Sequence, residues 1–407
     1  MAGEEQGRGT PLEAAPGPVP APPAGVTFTA PADAQTPVAV DGAVADEAPA
    51  AAATPVAPAA PLTAGAAAAA APAAQPSHTT SPLAGEGYVG AIDLGGTKIL
   101  AAIVGPDGKI VSRTKKVTGS DHRPAVVIDR IAACLREAAR LAGVEAQDLQ
   151  AVGMGAPGPI DPVDGSIKIA PNLSWENVPL RAELLARLRV PVALGNDVRV
   201  AVLAEHAAGA GRGVRHMVGI WPGTGIGGGL IVDGQLYLGS GMMAGEIGHI
   251  TVKANGPKCG CGGRGHLEAL ASRTAIVRDV AKAVKKGEKT ILTKLVGKDV
   301  TKATSGALAE AWHQGDRVVS RVLARAAEYL ALGIASMANV LNPELVILGG
   351  GVIEGLGEPY IEIVRRHVRE MPLLSSTASL RIVKSELGDD AGITGAALLA
   401  RRGGMRV

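Results

Sequence analysis

Four side chains that commonly ligate metals lie close together in one glycine-rich stretch, residues 245–268. They are His249, Cys259, Cys261 and His266. Two nitrogen and two sulfur donors suit a tetrahedral zinc ion, and four protein ligands leave no position open for water. We therefore predict a structural zinc site. The alternative interpretation is a glycine loop that carries two reduced cysteines and two surface histidines.

The same stretch carries two carboxylates, Glu246 and Glu268. Glu246 precedes His249 by three residues, so on one helical turn the two side chains share a face. A zinc-bound histidine presents one ring nitrogen to the metal and the other to a partner. We therefore predict that zinc folds the loop, and that Glu246, His249 and Glu268 face a polyhydroxy ligand.

Asp197 ends a predicted strand and begins a predicted helix. Catalytic groups gather at such positions in α/β proteins, although a helix N-cap is a common structural explanation for an aspartate there. Phosphoryl transfer to an alcohol needs a carboxylate that takes the hydroxyl proton. Because Asp197 stands beside Asn196, where the first half of the chain gives way to the second, we interpret it as a catalytic base.

Two glycine turns are candidates for binding phosphate. They are residues 93–98 (DLGGTK) and 223–229 (GTGIGGG); in the first, the strand continues after the glycines, so it is not a P-loop. An ordinary tight turn is the alternative for the first. The second turn contains so many glycines that they weaken its strand pair. This cost implies that a ligand approaches the backbone closely there. With one turn in each lobe, the two turns would bind a polyphosphate group from opposite sides. A third run of glycines, residues 349–351, suits close approach of a nucleotide base or ribose.

The strands around these turns form an internal duplication. Each unit reads strand, glycine-threonine turn, strand, Asp-Gly turn, strand, which predicts an antiparallel meander. Two such units predict two similar domains that face each other. The predicted strands are 88–93, 99–104 and 110–117 in the first unit, and 217–221, 226–232 and 235–238 in the second.

Helices and strands alternate through the rest of the chain, which predicts an α/β fold with a partly parallel sheet in each lobe. The last predicted helix spans 392–401, and Asp389 or Asp390 is expected to cap it.

Composition separates residues 1–87 from the remainder. This segment is rich in Ala and Pro, has almost no large apolar side chains and starts with the acidic MAGEEQ, so we expect a disordered tail and no signal peptide. No apolar run is long enough to span a bilayer. The net charge is +2, from 40 basic and 38 acidic residues, which disfavours nucleic-acid and membrane partners. Three cysteines, with Cys134 in an apolar helical pattern, favour a reducing cytoplasm.

From residue 88 to the end, the chain resembles the ROK family of bacterial sugar kinases and repressors, and within it the zinc-containing glucokinases. The order and spacing of the motifs make the resemblance specific. The motifs are DLGGTK (93–98), GAPGPID (155–161), PNLSWENVPL (171–180), GND (195–197), the glycine turn 223–229, GEIGH (245–249), CGCGGRGHLE (259–268), LGGG (348–351) and DDAGITGAA (389–397).

The resemblance implies a two-lobed, actin-like and hexokinase-like (ribonuclease H-like) fold that binds ATP and Mg²⁺ between its lobes. It makes Asp197 the base that deprotonates a sugar hydroxyl. In the family, the zinc ligands are one histidine and three cysteines, and His266 stands where the third cysteine is expected. The implied sugar contacts are Gly158, Asn172, Asn196, Asp197, Glu246, His249 and Glu268, and the implied nucleotide contacts are Asp93, Gly95, Gly96, Thr97, Lys98, Gly223, Thr224, Gly225, Gly349 and Gly350.

The activity implied is ATP-dependent phosphorylation of glucose to glucose 6-phosphate. Kinases for N-acetylmannosamine, N-acetylglucosamine or fructose remain alternatives, and so does polyphosphate as the donor. A sugar-sensing repressor is disfavoured because residues 1–87 show no basic helix-turn-helix. We expect a small lobe at 88–197, on which the helix 392–402 packs, a large lobe at 198–391, and a homo-oligomer of two or four chains.

Overall fold

The computed structural model describes residues 81–371 and 379–405. Residues 1–80 of the predicted disordered tail therefore lie outside the described residues. Residues 81–87, which the prediction also assigned to the tail, contact the C-terminal helix. The Arg401 guanidinium donates hydrogen bonds to the carbonyls of Leu83, Glu86 and Gly87.

The first sheet has five strands in the order β3-β2-β1-β4-β7. Its first three strands form the predicted antiparallel meander, and β1, β4 and β7 run parallel to one another. The carboxyl ends of the parallel strands therefore meet at one edge. The strands are β1 (Val89–Leu94), β2 (Lys98–Val104), β3 (Ile110–Val117), β4 (Ala151–Ala156) and β7 (Val192–Asn196); β5 (Ile167–Ala170) and β6 (Trp175–Val178) form a separate hairpin.

The second sheet repeats this plan in the order β10-β9-β8-β11-β12. Strands β8, β9 and β10 form the second predicted meander, and β8, β11 and β12 are parallel. The predicted duplication thus extends from the hairpins to whole sheets. The strands are β8 (Met217–Pro222), β9 (Ile226–Val232), β10 (Gln235–Tyr237), β11 (Leu345–Leu348) and β12 (Arg381–Lys384).

Two helices pack between the sheets: α3 (Asp197–Ala208) and α10 (Ala391–Arg402). Their buried aliphatic side chains share one core cluster with residues of β1, β2, β8, β9 and β11. Contact is close, because a Cβ added at Gly153 of β4 would lie 1.8 Å from the Ala396 carbonyl oxygen. This packing joins one face of the first sheet to the second sheet.

The remaining helices cover the outer faces of the two sheets, and each outer face has its own aliphatic core. Helices α1 (Pro124–Leu141) and α2 (Leu180–Leu188) pack on the first sheet. The second sheet carries α4 (Glu268–Ala271), α5 (Arg273–Lys285), α6 (Leu292–Val296), α7 (Ser305–His313), α8 (Arg317–Leu341) and α9 (Gly351–Arg369). Among the described residues, no helix is long and apolar enough to cross a membrane.

The capping hydrogen bond predicted at the start of α10 is replaced by a different contact. Asp390 occupies the N-cap position, but its side chain makes no capping hydrogen bond. Its carboxylate accepts hydrogen bonds from the Arg113 guanidinium at 2.5 and 3.1 Å instead. The aspartate therefore joins α10 to strand β3.

Glu205 in α3 connects this helix to the loop before α10. Its side chain is fully buried. The carboxylate accepts hydrogen bonds from the Ser385 hydroxyl at 2.5 Å and from the amides of Leu387 at 2.8 Å, Ala210 at 2.9 Å and Glu386 at 3.2 Å.

Substituting alanine for Glu205 is expected to destabilise the fold by about 3 kcal/mol or more, because it leaves one buried hydroxyl and three partly buried amides without an acceptor. Urea unfolding of the wild type, Glu205→Ala and Glu205→Gln provides the measurement. The glutamine variant, which keeps one acceptor oxygen, is expected to lose less. A loss below about 1 kcal/mol in the alanine variant would contradict this role.

Candidate functional site

Asp197 lies at the carboxyl edge of the first sheet, immediately after β7. Its neighbour Asn196 pairs with Ala156 of β4, and Asp93 of β1 pairs with Gly155 of the same strand. The parallel register therefore brings two carboxylates from distant parts of the sequence to one edge. Such edges are where α/β sheets bind ligands.

The environment of Asp197 suits a proton acceptor. Burial raises the pKa of Asp197 from 3.8 to about 7; hydrogen bonds from the Val198 amide and the Asn196 side chain oppose the rise, and the nearby charge of Asp93 adds to it. Both hydrogen bonds reach Oδ1 at 2.9 Å. Because Oδ1 accepts both of these hydrogen bonds, Oδ2 is the oxygen available to a substrate hydroxyl.

The Asn196 side chain makes three hydrogen bonds, and one of them orients Asp197. Its Nδ2 donates to Asp197 Oδ1 at 2.9 Å and to the Gly158 carbonyl at 3.3 Å, while its Oδ1 caps α3 by accepting from the Arg199 amide at 3.2 Å. Gly158 has φ +84°, and a Cβ there would lie 2.0 Å from the Ile169 carbonyl oxygen. The sequence-predicted residues Gly158, Asn196 and Asp197 are therefore one connected unit.

The first glycine turn joins β1 to β2 beside this unit. The Gly95 amide donates to the Lys98 carbonyl at 2.9 Å, and Thr97 is exposed. A Cβ added at Gly96 would lie 3.2 Å from Asn172 Nδ2, so Asn172 lies against this turn. The structure thus brings a predicted sugar contact and a predicted phosphate turn together.

Asp93 and Lys98 flank the same turn. Burial raises the pKa of Asp93, Lys98 opposes this rise, and Asp389 adds to it. The ammonium of Lys98, one of the implied nucleotide contacts, lies 3.7 Å from a carboxylate oxygen of Asp389. Lys98 therefore contributes positive charge to a site that otherwise carries several carboxylates.

The second glycine turn joins β8 to β9 and is held by Glu268. The Ile226 amide donates to Glu268 Oε2 at 3.0 Å, and a Cβ at Gly225 would lie 2.3 Å from the same oxygen. Thr224 and Gly223 in turn receive hydrogen bonds from Arg273. The glycine at 225 is thus explained by the approach of a carboxylate from the same chain.

The third glycine break has a packing explanation as well. A Cβ at Gly349 would lie 2.4 Å from the Trp221 ring, and Gly350, with φ +81°, is the N-cap of α9. The ring and the tight turn both require glycine here. The nucleotide contact predicted for these two residues remains a prediction.

The four predicted metal ligands converge. One ligand atom each from His249, Cys259, Cys261 and His266 lies within 4.8 Å of the other three. Zinc–sulfur and zinc–nitrogen bonds of about 2.3 and 2.0 Å place the ligands of a tetrahedral ion roughly 3.3–3.8 Å apart. The side chains therefore need only a small contraction to enclose a zinc ion.

The loop geometry explains how the ligands meet. The Cys259 amide donates to the Gly263 carbonyl at 2.8 Å, and a Cβ at Gly263 would lie 2.3 Å from the His266 ring. Nδ1 of His249 lies 3.8 Å from the Cys259 sulfur, and Nδ1 of His266 lies 3.2 Å from the Cys261 sulfur. Each histidine thus turns Nδ1 toward a cysteine sulfur.

Glu268 links the two parts of the site. One oxygen, Oε2, holds the second glycine turn, and the other, Oε1, lies 3.4 Å from the Cys259 sulfur. The resemblance implies a sugar contact for Glu268, and the sequence does not predict this bridge. A change in the metal cluster would therefore reach the predicted phosphate turn through one side chain.

Arg199 is a buried residue of the site that the sequence patterns do not predict. It lies one turn into α3 and is only 4% exposed. Its guanidinium donates to Glu246 Oε1 at 2.9 Å and to the Met242 carbonyl at 2.6 Å. An arginine between two valines in the first turn of α3, two positions after Asp197, is the signal that could have identified it.

Comparisons with known proteins identify the family of the chain. The model of the ROK family matches residues 89–403. The chain is 39% identical to a glucokinase of Thermotoga maritima over 76% of this chain and 96% of that protein. A ROK family glucokinase from Streptomyces griseus, solved in complex with glucose and AMPPNP, is 34% identical, with a TM-score of 0.69 over 78% of this chain and 100% of that one.

A ROK hexokinase from Thermus thermophilus is 33% identical, with a TM-score of 0.64 over 77% of this chain and 98% of that one. These likenesses confirm the hexokinase-like, two-lobed fold predicted from the sequence. The chain belongs to the ROK family.

Proposed function

We propose that this protein is an ATP-dependent glucokinase, which transfers the γ-phosphoryl group of ATP to the 6-hydroxyl of glucose. The observation that carries the proposal is Asp197, a carboxylate whose pKa is raised to about 7 at a sheet edge flanked by an open glycine turn. The relatives named glucokinase, and the one solved with glucose and AMPPNP, support both substrates.

In the proposed reaction, Asp197 Oδ2 accepts the proton of the sugar hydroxyl as its oxygen attacks the γ-phosphorus. The new O–P bond forms while the bond between the γ-phosphorus and the bridging oxygen breaks, which releases ADP. Little other covalent chemistry is needed from the protein, so positioning and charge neutralisation supply most of the catalysis.

We assign the donor to the glycine turns. Backbone amides and hydroxyls of such turns present partial positive charge to phosphate oxygens. Asp93 fits a Mg²⁺ site because it is a carboxylate beside the first turn, and Mg²⁺ prefers oxygen ligands. When bound, Mg²⁺ neutralises charge on the phosphates. The proposed donor contacts are Asp93, Gly95, Gly96, Thr97, Lys98, Gly223, Thr224, Gly225, Gly349 and Gly350.

We assign the sugar to the pocket around Asp197. The contacts described above connect Gly158 and Asn196 to this residue, and the Arg199 ion pair holds Glu246 nearby. His249 can offer Nε2 to a hydroxyl because Nδ1 faces the cysteines. The proposed sugar contacts are Gly158, Asn172, Asn196, Asp197, Glu246, His249 and Glu268.

We further infer that His249, Cys259, Cys261 and His266 hold a structural zinc ion. Two sulfur and two nitrogen donors at these separations fit tetrahedral zinc. Bound zinc would supply no reaction step; it would fix the loop that carries His249 and Glu268. A small lobe at 88–197 with helix 392–402, a large lobe at 198–391, and a homo-oligomeric assembly remain part of the proposal.

Arg199 is expected to act as a positioning residue through Glu246. Arg199→Lys keeps the charge but loses the two-pronged contact, and it should raise KM for glucose about tenfold while kcat changes less. Steady-state kinetics of Arg199→Lys, Glu246→Gln and the double variant give the measurement. If Arg199 acts through Glu246, the two effects should not add; additive effects, or an unchanged KM, would contradict this role.

The proposed function is tested by ADP release from Mg-ATP in the presence of single sugars: glucose, mannose, fructose, N-acetylmannosamine and N-acetylglucosamine. The highest kcat/KM is expected with glucose, and no ADP release without sugar. Preference for an N-acetylated sugar would move the protein to another kinase class. No sugar-dependent turnover by a folded, zinc-loaded protein would overturn the proposal.

A further inference from the structure

Helix α5 begins against the second glycine turn. The amide of Arg273, the first residue of α5, donates to the Gly223 carbonyl at 2.9 Å. The Arg273 guanidinium donates to Thr224 Oγ1 at 2.8 Å, and the Thr274 hydroxyl donates to the Thr224 carbonyl at 2.7 Å. Three hydrogen bonds therefore hold residues 223 and 224 to the start of this helix.

The start of α5 is fixed by a cap and by packing. Ser272 is the N-cap residue and is only 2% exposed, and its hydroxyl accepts a hydrogen bond from the Ala275 amide at 3.2 Å. Ile276 and Val280, on the buried face of the helix, belong to the aliphatic core on the outer face of the second sheet. A cap and a buried apolar face both stabilise a helix end. The backbone of Arg273 therefore has a defined position beside the turn.

The contact with Arg273 restricts the Thr224 hydroxyl. A guanidinium can only donate hydrogen bonds, whereas a hydroxyl has one O–H donor and two acceptor lone pairs. Thr224 Oγ1 is therefore the acceptor in this contact, and its own proton points elsewhere. Thr224 is exposed, and within residues 81–371 and 379–405 its hydroxyl donates to no acceptor. The proton is thus available to an acceptor from outside the chain, such as a phosphate oxygen.

The Arg273 side chain also faces open space beside the turn. Arg273 and Thr274 line a groove of about 580 Å³, a volume typical of small-molecule sites. A guanidinium carries five N–H donors in a planar fork that matches phosphate oxygens. Arg273 forms no ion pair with a carboxylate of the described residues. Its positive charge is therefore not neutralised by the chain at the place where an anion would meet the turn.

We propose that Arg273 is a positioning residue for the phosphoryl donor: it turns the Thr224 hydroxyl toward a terminal phosphate of ATP and adds positive charge beside that phosphate. This inference rests on the proposed sugar-kinase function, which assigns phosphate to this turn. Negative charge develops on the leaving ADP as the γ-phosphoryl group transfers, and donors that are already oriented stabilise such charge. Because the contact is made to the phosphate turn, binding of the nucleoside and of the sugar depends on it little.

The first test is the steady-state kinetics of Arg273→Gln with glucose and Mg-ATP. The variant is expected to lower kcat/KM for ATP about 30-fold, as for the loss of a hydrogen bond to a charged group, and to change KM for glucose less than about twofold. If the wild type is active and Arg273→Gln keeps a normal kcat/KM for ATP, this inference is overturned and the proposed function stands. A folded wild type that is inactive with every sugar would instead overturn the proposed function.

The second test measures which part of the nucleotide depends on Arg273. Titration calorimetry with Mg²⁺ present gives the dissociation constants of ADP and AMP for the wild type and Arg273→Gln. Affinity for ADP should fall about tenfold, because its terminal phosphate loses a charge-assisted contact, whereas affinity for AMP should change less than about twofold. Equal losses for both nucleotides would place the guanidinium at the nucleoside end, and would contradict the inference.

The third test asks whether Arg273 acts through Thr224. Thr224→Val removes the hydroxyl, and the double variant Arg273→Gln/Thr224→Val should lose clearly less kcat/KM for ATP than the product of the two single losses. Independent losses that multiply would contradict the inference. Arg317→Gln is the matched control, because Arg317 is the exposed first residue of α8, as Arg273 is the first residue of α5. This control should keep the wild-type kcat/KM for ATP.

Discussion

Asp197→Asn is expected to lower kcat for glucose about 10²–10⁴-fold, the usual contribution of a positioned proton acceptor. Asparagine keeps the shape of the side chain and its contacts with Val198 and Asn196, but its amide cannot take the hydroxyl proton. KM for ATP should change little, because the donor is assigned to the glycine turns. Steady-state kinetics with coupled detection of ADP provide the measurement.

The control for this variant is its stability at pH 8. The pKa of Asp197 is raised to about 7 from 3.8. Above pH 7 the carboxylate is therefore ionised in both the folded and the unfolded protein, and its burial disfavours the folded state. The contribution of this group to stability therefore falls as the pH rises from about 4 through 7. The neutral asparagine variant should unfold at the same temperature as the wild type or higher. Near-normal kcat in this folded variant would refute the assignment of the base.

Loss of the metal is the second large effect that we expect. Cys259→Ser, or exhaustive chelation, should remove zinc and abolish most activity, because the loop that holds His249 and Glu268 loses its anchor. Structural zinc sites supply about 10–16 kcal/mol of apparent binding free energy in small zinc domains. Metal analysis, melting temperature and kcat/KM measured on one preparation would follow the loss.

Cys134→Ala is the matched control for this variant. Cys134 is buried in α1, away from the cluster, where its sulfur contacts Thr114. This variant should keep one zinc ion per chain and its activity, with only a moderate loss of stability. A wild-type preparation with well below one zinc ion per chain, yet full activity and a normal melting temperature, would contradict the structural-site assignment.

Local pattern was enough to predict the two meanders and the α/β class. The repeat of strand, turn and strand depends on neighbouring residues, so it is readable without tertiary information. Helix α9 and strand β12 were not predicted. Gly357, with φ +68°, and Pro359 interrupt the helical pattern of α9, and packing against α7 and α8 keeps the helix in place.

The candidate site was predictable to a different extent in each part. The spacing of His249, Cys259, Cys261 and His266 predicted a convergence that the structure contains. The bridging role of Glu268 and the buried Arg199 were missed, because each depends on contacts between distant residues. Glu268 reaches Ile226, and Arg199 reaches Met242 and Glu246. Sequence spacing carries no information on such pairs.

The most direct test of the account is the pH dependence of kcat/KM for glucose at saturating Mg-ATP. A base must be ionised to act, and the pKa of Asp197 is raised to about 7. We predict a plateau above pH 7 and a fall of about tenfold per pH unit below it. A profile that stays flat down to about pH 5, where a protonated Asp197 could no longer accept the proton, would contradict the claim that this carboxylate activates the sugar hydroxyl.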